Sequence, residues 1–332
     1  MTKLSEKTLK MFDKIGEQVH SLFRKQIYEN ILDKEIITIF EYLETYWFDS
    51  YRTSLIWFCN KIVGGNPEKT IIPSLIMSLT SSGIGIHDDV IDKTKYKKIQ
   101  KTIPVVFGEE KAIIAGDLLI IKGILCTRLL LEEFDKETYQ ELTDVLDEYF
   151  MEMAVGESQE ISANKNLDLE LEDYFDMLWK LGADGRACTL LGAISGNGTT
   201  EQLEALGIIG RALGYIIRLN DEIKDILNVE GTLENRIKNE SIPLAMLYIS
   251  KKSEKHYNKI HEILVKDSIS PEDITNIIEM SYEVDVFQYI NSKIDEAYKE
   301  AEKAMNIFEY SDAKIKLFTL LNLKKDSKKL VY

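Results

Sequence analysis

Residues that interrupt an α-helix are scarce in this chain, and this scarcity limits the folds open to it more than any other feature. Only 5 of its 332 residues are Pro and 18 are Gly. Apolar residues recur at three- and four-residue spacing along most of the chain, which is the pattern of amphipathic helices. Segments with the two-residue alternation of a β-strand never exceed a few residues. The sequence therefore predicts an all-α fold.

The predicted helices follow one another with short connections. They cover residues 7–31, 35–47, 51–63, 70–92, 109–133, 136–161, 170–195, 201–227 and the region from 243 to the end. The polar segments 93–101 and 229–241 are predicted loops. Because the sequence shows neither an internal repeat nor an obvious linker, we expect one helical domain over residues 1–332, a bundle with a central cavity.

Charge and cysteine content narrow the class of protein. A formal net charge of −15 argues against a nucleic-acid-binding protein, which needs a basic surface. The three cysteines are far apart and form no C-x-x-C motif, so we expect neither disulfides nor a zinc site, and we expect a cytoplasmic location. The most apolar stretch, 112–131, contains three charged residues and is predicted to be a buried helix rather than a membrane span.

Two clusters of acidic residues, each at the end of an apolar helix, are the main candidates for a functional site. Both have acidic residues at positions i, i+1 and i+4, so their carboxylates converge. The clusters are Asp88, Asp89 and Asp92, and Asp221, Glu222 and Asp225. One such cluster is weak evidence, because acidic helix ends are common, but two matching clusters indicate a shared function.

Carboxylates beside an apolar surface are costly unless a cation neutralises them. Oxygen ligands at this spacing suit Mg²⁺. We therefore expect the two helix ends to face each other and to hold three Mg²⁺ ions, which would clamp a diphosphate and stabilise it as a leaving group. The apolar helices below would enclose a hydrocarbon chain.

The sequence resembles the trans-isoprenyl (polyprenyl) diphosphate synthases, of the class I isoprenoid synthase superfamily, from about Tyr51 to the C-terminus. Segments 86–92 and 221–225 are similar to the two aspartate-rich motifs of this family, with Glu222 in place of an Asp. Further matching elements are Phe107-Gly108, Ala115-Gly116-Asp117, Gly156-Glu157 and Ser241-Ile242-Pro243-Leu244. The resemblance implies an isoprenoid-synthase bundle, a prenyltransferase acting on an allylic prenyl diphosphate and isopentenyl diphosphate, and a homodimer or a heteromer.

The resemblance is incomplete where the family binds the acceptor diphosphate. The family's G-K-R-x-R-P motif corresponds here to 48–53, in which only Arg52 remains of its cations. Lys180 lies one residue away from the family's Lys-Thr pair, Arg218 replaces a Gln, and the Lys pair 97–98 replaces an Arg pair. The predicted diphosphate-binding residues are Arg52, Lys97, Lys98, Lys180 and Arg218. Because cations are lost, we expect weak binding of the acceptor.

Small side chains precede the first acidic cluster. In the family that this sequence resembles, a bulky aromatic residue four or five positions before the first motif closes the product tunnel. Here those positions are Ile84 and Gly83, with Thr80 one turn earlier. These three residues predict an open tunnel and a long prenyl chain, of at least C20. Close packing of helices through small residues is the alternative explanation.

Three functions remain open at this point. The first is prenyl-chain elongation. The second is a terpene cyclase, which the depleted acceptor motif and Asn220 beside Asp221 favour, although Lys224 and Asn228 stand where a cyclase metal motif has other residue types. The third is a subunit of a heteromeric prenyl diphosphate synthase, which the intact acidic clusters disfavour.

Overall fold

The structure is a computed structural model that describes residues 6–47, 49–97, 99–229 and 231–325. Within these residues it is helical, and the predicted all-α fold is confirmed. The helices are α1 (Glu6–Tyr28), α2 (Lys34–Glu44), α3 (Ser50–Ile62), α4 (Ile71–Ile91), α5 (Ile103–Phe107), α6 (Glu109–Cys126), α7 (Leu130–Glu133), α8 (Lys136–Ser162), α9 (Leu171–Leu181), α10 (Ala183–Ser195), α11 (Thr200–Ile226), α12 (Leu233–Asn239), α13 (Leu244–Ser250), α14 (Glu254–Leu264), α15 (Pro271–Glu283), α16 (Val286–Met305) and α17 (Asp312–Lys325). Short 3₁₀ turns lie at Pro67–Thr70 and Thr127–Leu129.

The chain forms two compact units. The first contains Met1–Glu148, Gly185–Gly210 and Ala304–Thr319, and the second contains Tyr149–Asp184, Arg211–Lys303 and Leu320–Tyr332. The first acidic cluster belongs to the first unit and the second cluster to the second unit. The single domain over 1–332 remains a prediction.

The core of the first unit is built around α4, whose residues are mostly buried. Glycines bring α4 and α6 close together, because a Cβ added to Gly83 would lie 2.5 Å from the carbonyl oxygen of Gly116. One helical stretch of the described residues, Pro67–Ile91, is long and apolar enough to cross a membrane, and 78% of its apolar window is buried in the structure. A buried core helix passes the same test, so this is weak evidence for a membrane span.

The second unit packs α9 against α11. Gly182, which follows α9, allows this contact, because a Cβ there would lie 2.8 Å from the backbone nitrogen of Tyr215. On the same side, the Trp179 ring lies edge-on to Tyr215 and beneath the guanidinium of Arg211. Arg211 also donates a hydrogen bond to the Trp179 carbonyl and pairs with Glu152. These contacts fix the position of α11 upstream of its acidic end.

Four predicted segments differ from the structure. The predicted helix 170–195 is divided at Gly182, and the predicted helix 109–133 is divided by the 3₁₀ turn at Thr127–Leu129. The predicted loop 229–241 contains α12. The predicted loop 93–101 contains two short antiparallel strands, β1 (Tyr96–Lys97) and β2 (Gln100–Lys101).

Candidate active site

Asp89 is the buried member of the first acidic cluster. Its side chain is 2% exposed, and the Nζ atom of Lys97 lies 2.9 Å from its Oδ1 atom. Asp88 and Asp92, at the same end of α4, are partly exposed. The backbone N–H of Asp92 closes the helix by donating to the Asp88 carbonyl. The structure therefore places all three predicted residues at one helix end, with a lysine against the innermost carboxylate.

Burial makes the charged form of Asp89 costly. It raises the pKa of this carboxyl group to about 6, and the neighbouring charge of Lys97 limits the rise. Because a buried carboxylate needs a nearby cation to remain ionised, the ammonium of Lys97 stands where a cation is required.

The strand pair β1–β2 carries Lys97 to this place. Tyr96 pairs with Lys101 across the strands. The Tyr42 hydroxyl donates to the Lys101 carbonyl at 2.7 Å, and the buried Thr102 hydroxyl donates to the Thr94 carbonyl at 2.6 Å. The first bond attaches the end of β2 to α2, and the second joins the two segments that flank the strand pair. Lys98, also a predicted diphosphate-binding residue, lies outside the described residues.

Glu222 of the second cluster is buried and its carboxylate is fully engaged. Its Oε1 atom accepts hydrogen bonds from the Tyr174 hydroxyl at 2.8 Å and from Arg236 at 2.5 Å. Its Oε2 atom accepts from the backbone N–H of Leu244 at 2.9 Å. Glu222 thus connects the end of α11 to α9, α12 and the start of α13. These contacts give Glu222 a structural role, and its binding of a metal ion remains a prediction.

Arg236 is the centre of the same network. Its guanidinium lies 3.2 Å from Asp225 and 3.5 Å from Glu240, and it donates to the Ser241 hydroxyl at 3.1 Å. The side chain is only 11% exposed. From the sequence, Arg236 is one of several cations that could replace those lost from the acceptor motif, and its place in a polar segment without helical periodicity does not link it to the second acidic cluster. Arg236 is fourteen residues from Glu222 in the sequence, and no sequence pattern at this spacing predicts that the two side chains are in contact.

Asp225 and Asp221 are the second-cluster carboxylates that remain partly accessible. Burial raises the pKa of Asp225 to about 7; Arg236 opposes this rise, while Glu222, Glu240 and Asp221 add to it. Asp221 is 46% exposed and pairs with Lys224 at 2.6 Å. Burial and the acidic neighbours together outweigh the effect of Arg236, so the pKa of Asp225 stays above its usual value.

The donor chemistry of the two clusters fits a hard divalent cation. Every candidate ligand is a carboxylate oxygen, which Mg²⁺ and Ca²⁺ prefer. In the described part of the chain, however, no three His, Cys, Asp or Glu side chains already converge as a ligand set. Lys97 and Lys224 lie against the carboxylates instead. A metal would therefore bind by replacing basic side chains that the clusters already hold.

Arg52, the remaining cation of the acceptor motif, is paired with an acidic residue. Its guanidinium lies 3.3 Å from Oδ2 of Asp49, whose side chain is 3% exposed. Asp49 also begins α3, because its Oδ1 atom accepts from the backbone N–H of Arg52, and the Ser81 hydroxyl donates to its Oδ2 atom. The acceptor motif thus contains a buried carboxylate at the position of the family's lysine.

Lys180 and Arg218 lie in the second unit, and both form hydrogen bonds with other residues of that unit. Lys180 pairs with Asp176 one turn earlier on α9 and donates to the Gln159 side chain at 3.3 Å. Arg218 donates through Nε to the Leu181 carbonyl at 3.3 Å. Their binding of diphosphate remains a prediction.

A cavity of about 390 Å³ lies beside Asp49 in the first unit. Its lining combines acidic, aromatic and small side chains, and none of the described lining residues is Lys or Arg. They are Asp13, Gly16, Glu17, Val19, His20, Phe23, Glu44, Trp47, Asp49, Ser50, Thr53 and Ser78. These described residues offer a diphosphate no direct contact with the fixed cation of a Lys or Arg.

Two of the predicted tunnel residues face α6. Gly83 is buried against Gly116 and Ile120, and the fully buried Thr80 lies against Gly123. Ile84 is partly exposed. The small size of Gly83 therefore serves close packing of α4 on α6, which was the alternative explanation for these small residues.

The chain is similar to a known protein family and to solved structures over most of its length. The family model for Polyprenyl synthetase matches residues 36–281. A short chain isoprenyl diphosphate synthase of Methanothermobacter thermautotrophicus is 25% identical over 305 residues, which are 91% of this chain and 93% of that protein. The crystal structure of geranylgeranyl pyrophosphate synthetase from Pyrococcus horikoshii has a TM-score of 0.83 at 23% identity, over 97% of this chain and 99% of that one. The polyprenyl synthase from Caulobacter crescentus, complexed with calcium and isoprenyl diphosphate, has a TM-score of 0.82 at 15% identity, over 98% of both chains.

Proposed function

Because this chain belongs to the Polyprenyl synthetase family and is a prenyltransferase, we propose that it is a Mg²⁺-dependent prenyl diphosphate synthase. It joins an allylic prenyl diphosphate to isopentenyl diphosphate. The observation that carries this proposal is the pair of acidic helix ends, each with a carboxyl group of raised pKa: the buried Asp89 and the half-buried Asp225. Such carboxylates are stabilised as anions when a divalent cation binds.

The residues of the two clusters divide into ligands and supports. Asp88, Asp89 and Asp92 would hold metal at the end of α4, and Asp221 and Asp225 at the end of α11. Glu222 and Arg236 support the second cluster by fixing the end of α11. Mg²⁺, when bound, supplies the positive charge that stabilises the departing diphosphate. The family resemblance and the calcium in the Caulobacter crescentus structure support a divalent metal; three ions per site is the number that we propose.

The product length belongs to the same proposal. We propose a prenyl chain of at least C20, which is supported by the lack of an aromatic side chain at Ile84. The name of the geranylgeranyl pyrophosphate synthetase from Pyrococcus horikoshii supports such a length, while the name of the Methanothermobacter thermautotrophicus relative specifies a short chain. Since Gly83 and Thr80 pack against α6, Ile84 is the residue of the three that we retain as a tunnel residue.

Self-association is supported by an apolar stripe on α6. Five aliphatic residues on one side of this helix are between 43% and 56% exposed. They are Ile113, Ile114, Ile121, Ile124 and Leu125. Exposed apolar surfaces of this kind mark interaction sites, so we propose that α6 forms a homodimer interface, or an interface with a partner subunit.

A reducing cytoplasm is the location that we propose. Cys59, Cys126 and Cys188 are buried free thiols in the structure. Proteins that persist in oxidising compartments commonly carry disulfides instead.

A terpene cyclase is the second candidate function, and Asp49 is the observation that favours it. Asp49 pairs with Arg52, the remaining cation of the acceptor motif, and the adjoining cavity has an acidic lining. A cyclase needs no second diphosphate, because its nucleophile is a double bond of the substrate itself.

The test is an incubation of the purified chain with Mg²⁺ and farnesyl diphosphate, which is shorter than the proposed product, with and without isopentenyl diphosphate. We expect mass spectrometry after phosphatase treatment to show a longer prenyl alcohol only when isopentenyl diphosphate is present. Asp221→Ala should lower the rate at least a hundredfold, because it removes a partly accessible carboxylate from the site. Asp267→Ala, at an exposed position after α14, should leave the rate unchanged.

Other products of this incubation would decide against elongation. A hydrocarbon or cyclic alcohol formed without isopentenyl diphosphate would establish the cyclase. Turnover that persists in Asp221→Ala would contradict the metal-binding role of the second cluster.

A further inference from the structure

Segment 93–108 differs in composition from the rest of the chain. It contains five lysines and no acidic residue, whereas the whole chain has a formal net charge of −15. It also exposes large side chains to solvent, since Ile99 is 95% exposed and Tyr96 is 53% exposed. Lysines interleaved with exposed apolar and aromatic side chains are typical of surfaces that lie on anionic membranes.

The strand pair β1–β2 has an inner face and an outer face. Lys97 pairs with Gln100 across the strands. The Lys97 ammonium lies against the end of α4, and the Gln100 side chain donates to the Thr45 hydroxyl at 3.4 Å. Because successive side chains along a strand point to opposite faces, the other cross-strand pair, Tyr96 and Lys101, lies on the outer face. Both of these residues are exposed.

The exposed residues of this strand pair and its turn form a surface that we call the hairpin tip. It consists of Lys95, Tyr96, Ile99 and Lys101, and Ile99 lies in the turn between the two strands. Among the described residues, no acidic side chain pairs with the ammonium of Lys95 or Lys101. The hairpin tip therefore presents an apolar anchor flanked by positive charges. An anionic bilayer matches this surface, because it combines a negative headgroup layer with an apolar layer beneath it.

Exposure of one apolar side chain is not sufficient for such a surface. Leu32, between α1 and α2, is 93% exposed. Acidic residues follow it directly in the sequence, at Asp33 and Glu35. Negative charges beside an apolar side chain oppose contact with anionic lipids, so Leu32 serves as the comparison for Ile99.

We propose that the hairpin tip docks the protein on the surface of a membrane that contains anionic lipids. Ile99 and Tyr96 enter the layer of headgroups, and the ammonium groups of Lys95 and Lys101 pair with lipid phosphates. Because the inner face of the strand pair contacts the end of α4, docking brings that helix end close to the headgroups. A prenyltransferase docked in this way releases its apolar product next to the bilayer. The inference goes beyond the proposed function, which concerns the reaction and not the location of the enzyme.

Co-sedimentation of the full chain with lipid vesicles tests this docking. We expect the chain to bind vesicles of phosphatidylcholine with about 30% phosphatidylglycerol, and to bind vesicles of phosphatidylcholine alone at least about tenfold more weakly. Raising the NaCl concentration from about 0.1 M to about 0.5 M should weaken the binding, because salt screens the attraction between lysines and lipid phosphates.

Three variants change the hairpin tip and leave the predicted site residues intact. Lys95→Glu combined with Lys101→Glu should weaken binding to the anionic vesicles at least about tenfold, because two attractive charges become repulsive. Ile99→Ser should weaken it about threefold or more, because the apolar anchor is lost. Ile99→Trp should strengthen it about threefold, because Trp favours the membrane interface. Opposite effects at one exposed position exclude damage to the fold as their common cause.

The matched controls make the same changes elsewhere on the molecule. Lys255→Glu combined with Lys299→Glu changes two exposed lysines and alters the net charge by the same amount. Leu32→Ser removes a side chain that is as exposed as Ile99. Binding of both controls to the anionic vesicles should stay within about twofold of the wild-type value, because attraction to the membrane acts only over about one Debye length.

The outcomes separate docking from the proposed function. Wild-type protein that does not bind the anionic vesicles, or hairpin-tip variants that bind them as the wild-type protein does, would overturn the docking. Equal losses in the controls would also overturn it, because net charge would then govern the binding. Chain elongation without vesicles tests the proposed function alone, and the hairpin-tip variants should keep the wild-type rate there. A wild-type chain that binds vesicles without turnover would overturn only the proposed function.

Discussion

At the scale of single residues, burial of Asp89 favours a neutral carboxyl group, whereas the proposed binding of a metal needs the carboxylate. Burial raises the pKa of this carboxyl group to about 6, above the usual value of 3.8, so the folded chain holds the proton more tightly than the unfolded chain. Stability from this group is therefore present below about pH 4 and is lost as the pH rises to about 6. Two pKa units correspond to about 3 kcal/mol at most.

We expect Asp89→Asn to be more stable than the wild-type protein at pH 8 without divalent cations, by about 1–3 kcal/mol. The gain should shrink to less than about 1 kcal/mol near pH 4, where the wild-type carboxyl group is also neutral. Urea unfolding in EDTA at both pH values measures the difference. Asp267→Asn, at an exposed site, should show no gain at either pH. A lower stability of Asp89→Asn at pH 8 would contradict the raised pKa.

The sequence could identify the residues of the two acidic clusters but not their roles. Spacing of i, i+1 and i+4 is visible in the sequence, and the structure places Asp88, Asp89 and Asp92 together at one helix end. The hydrogen bonds that occupy both oxygens of Glu222 come from α9, α12 and α13, whose approach no local pattern encodes. Long-range packing therefore decides which carboxylate is a support and which is a candidate ligand.

At the scale of secondary-structure elements, the contact between α4 and α6 depends on glycine. A Cβ on Gly83 would lie 2.5 Å from the Gly116 oxygen and 2.7 Å from a side-chain carbon of Ile120. We expect Gly83→Ala to lower the free energy of unfolding by about 1–3 kcal/mol, because the two helices must separate. Denaturant unfolding followed by circular dichroism measures this change.

Gly85, on the same helix, is the matched control. A Cβ there would meet the Trp47 ring at 3.7 Å and Nζ of Lys97 at 3.9 Å, which are ordinary contacts. Since alanine favours the helix over glycine by up to about 1 kcal/mol, Gly85→Ala should be neutral or stabilising. Equal destabilisation of both variants would show that the tight contact at Gly83 is not what matters.

The sequence predicts the ends of a helix well where its hydrophobic periodicity is strong. It predicts them poorly where a single tertiary contact determines where the helix ends. The predicted helix 70–92 agrees closely with α4. The division at Gly182 was missed because the approach of α11 is a tertiary contact. Helix α12 was missed because it is short and polar; the Asn228 side chain accepts the backbone N–H of Leu233 at its start, and Arg236 anchors it through the buried network.

At the scale of the whole molecule, the apolar stripe on α6 predicts the oligomeric state. Ile114, Ile121 and Leu125 are 56%, 51% and 54% exposed, and they lie on one side of the helix. Water contact at that many aliphatic side chains is costly, and burying them in an interface removes the cost. We therefore expect a dimer at micromolar concentration in sedimentation velocity.

The double variant Ile114→Glu and Ile121→Glu should dissociate this dimer. Two unpaired carboxylates per subunit at an apolar interface would weaken association at least a hundredfold, since each buried charge lacks a partner. Val265→Glu changes a valine after α14 that is 65% exposed, and it should leave the dimer intact. A double variant that remains dimeric would place the interface elsewhere on the molecule. If the wild-type chain is monomeric, we expect the α6 stripe to bind a different subunit instead. The depleted acceptor motif also allows this heteromeric arrangement.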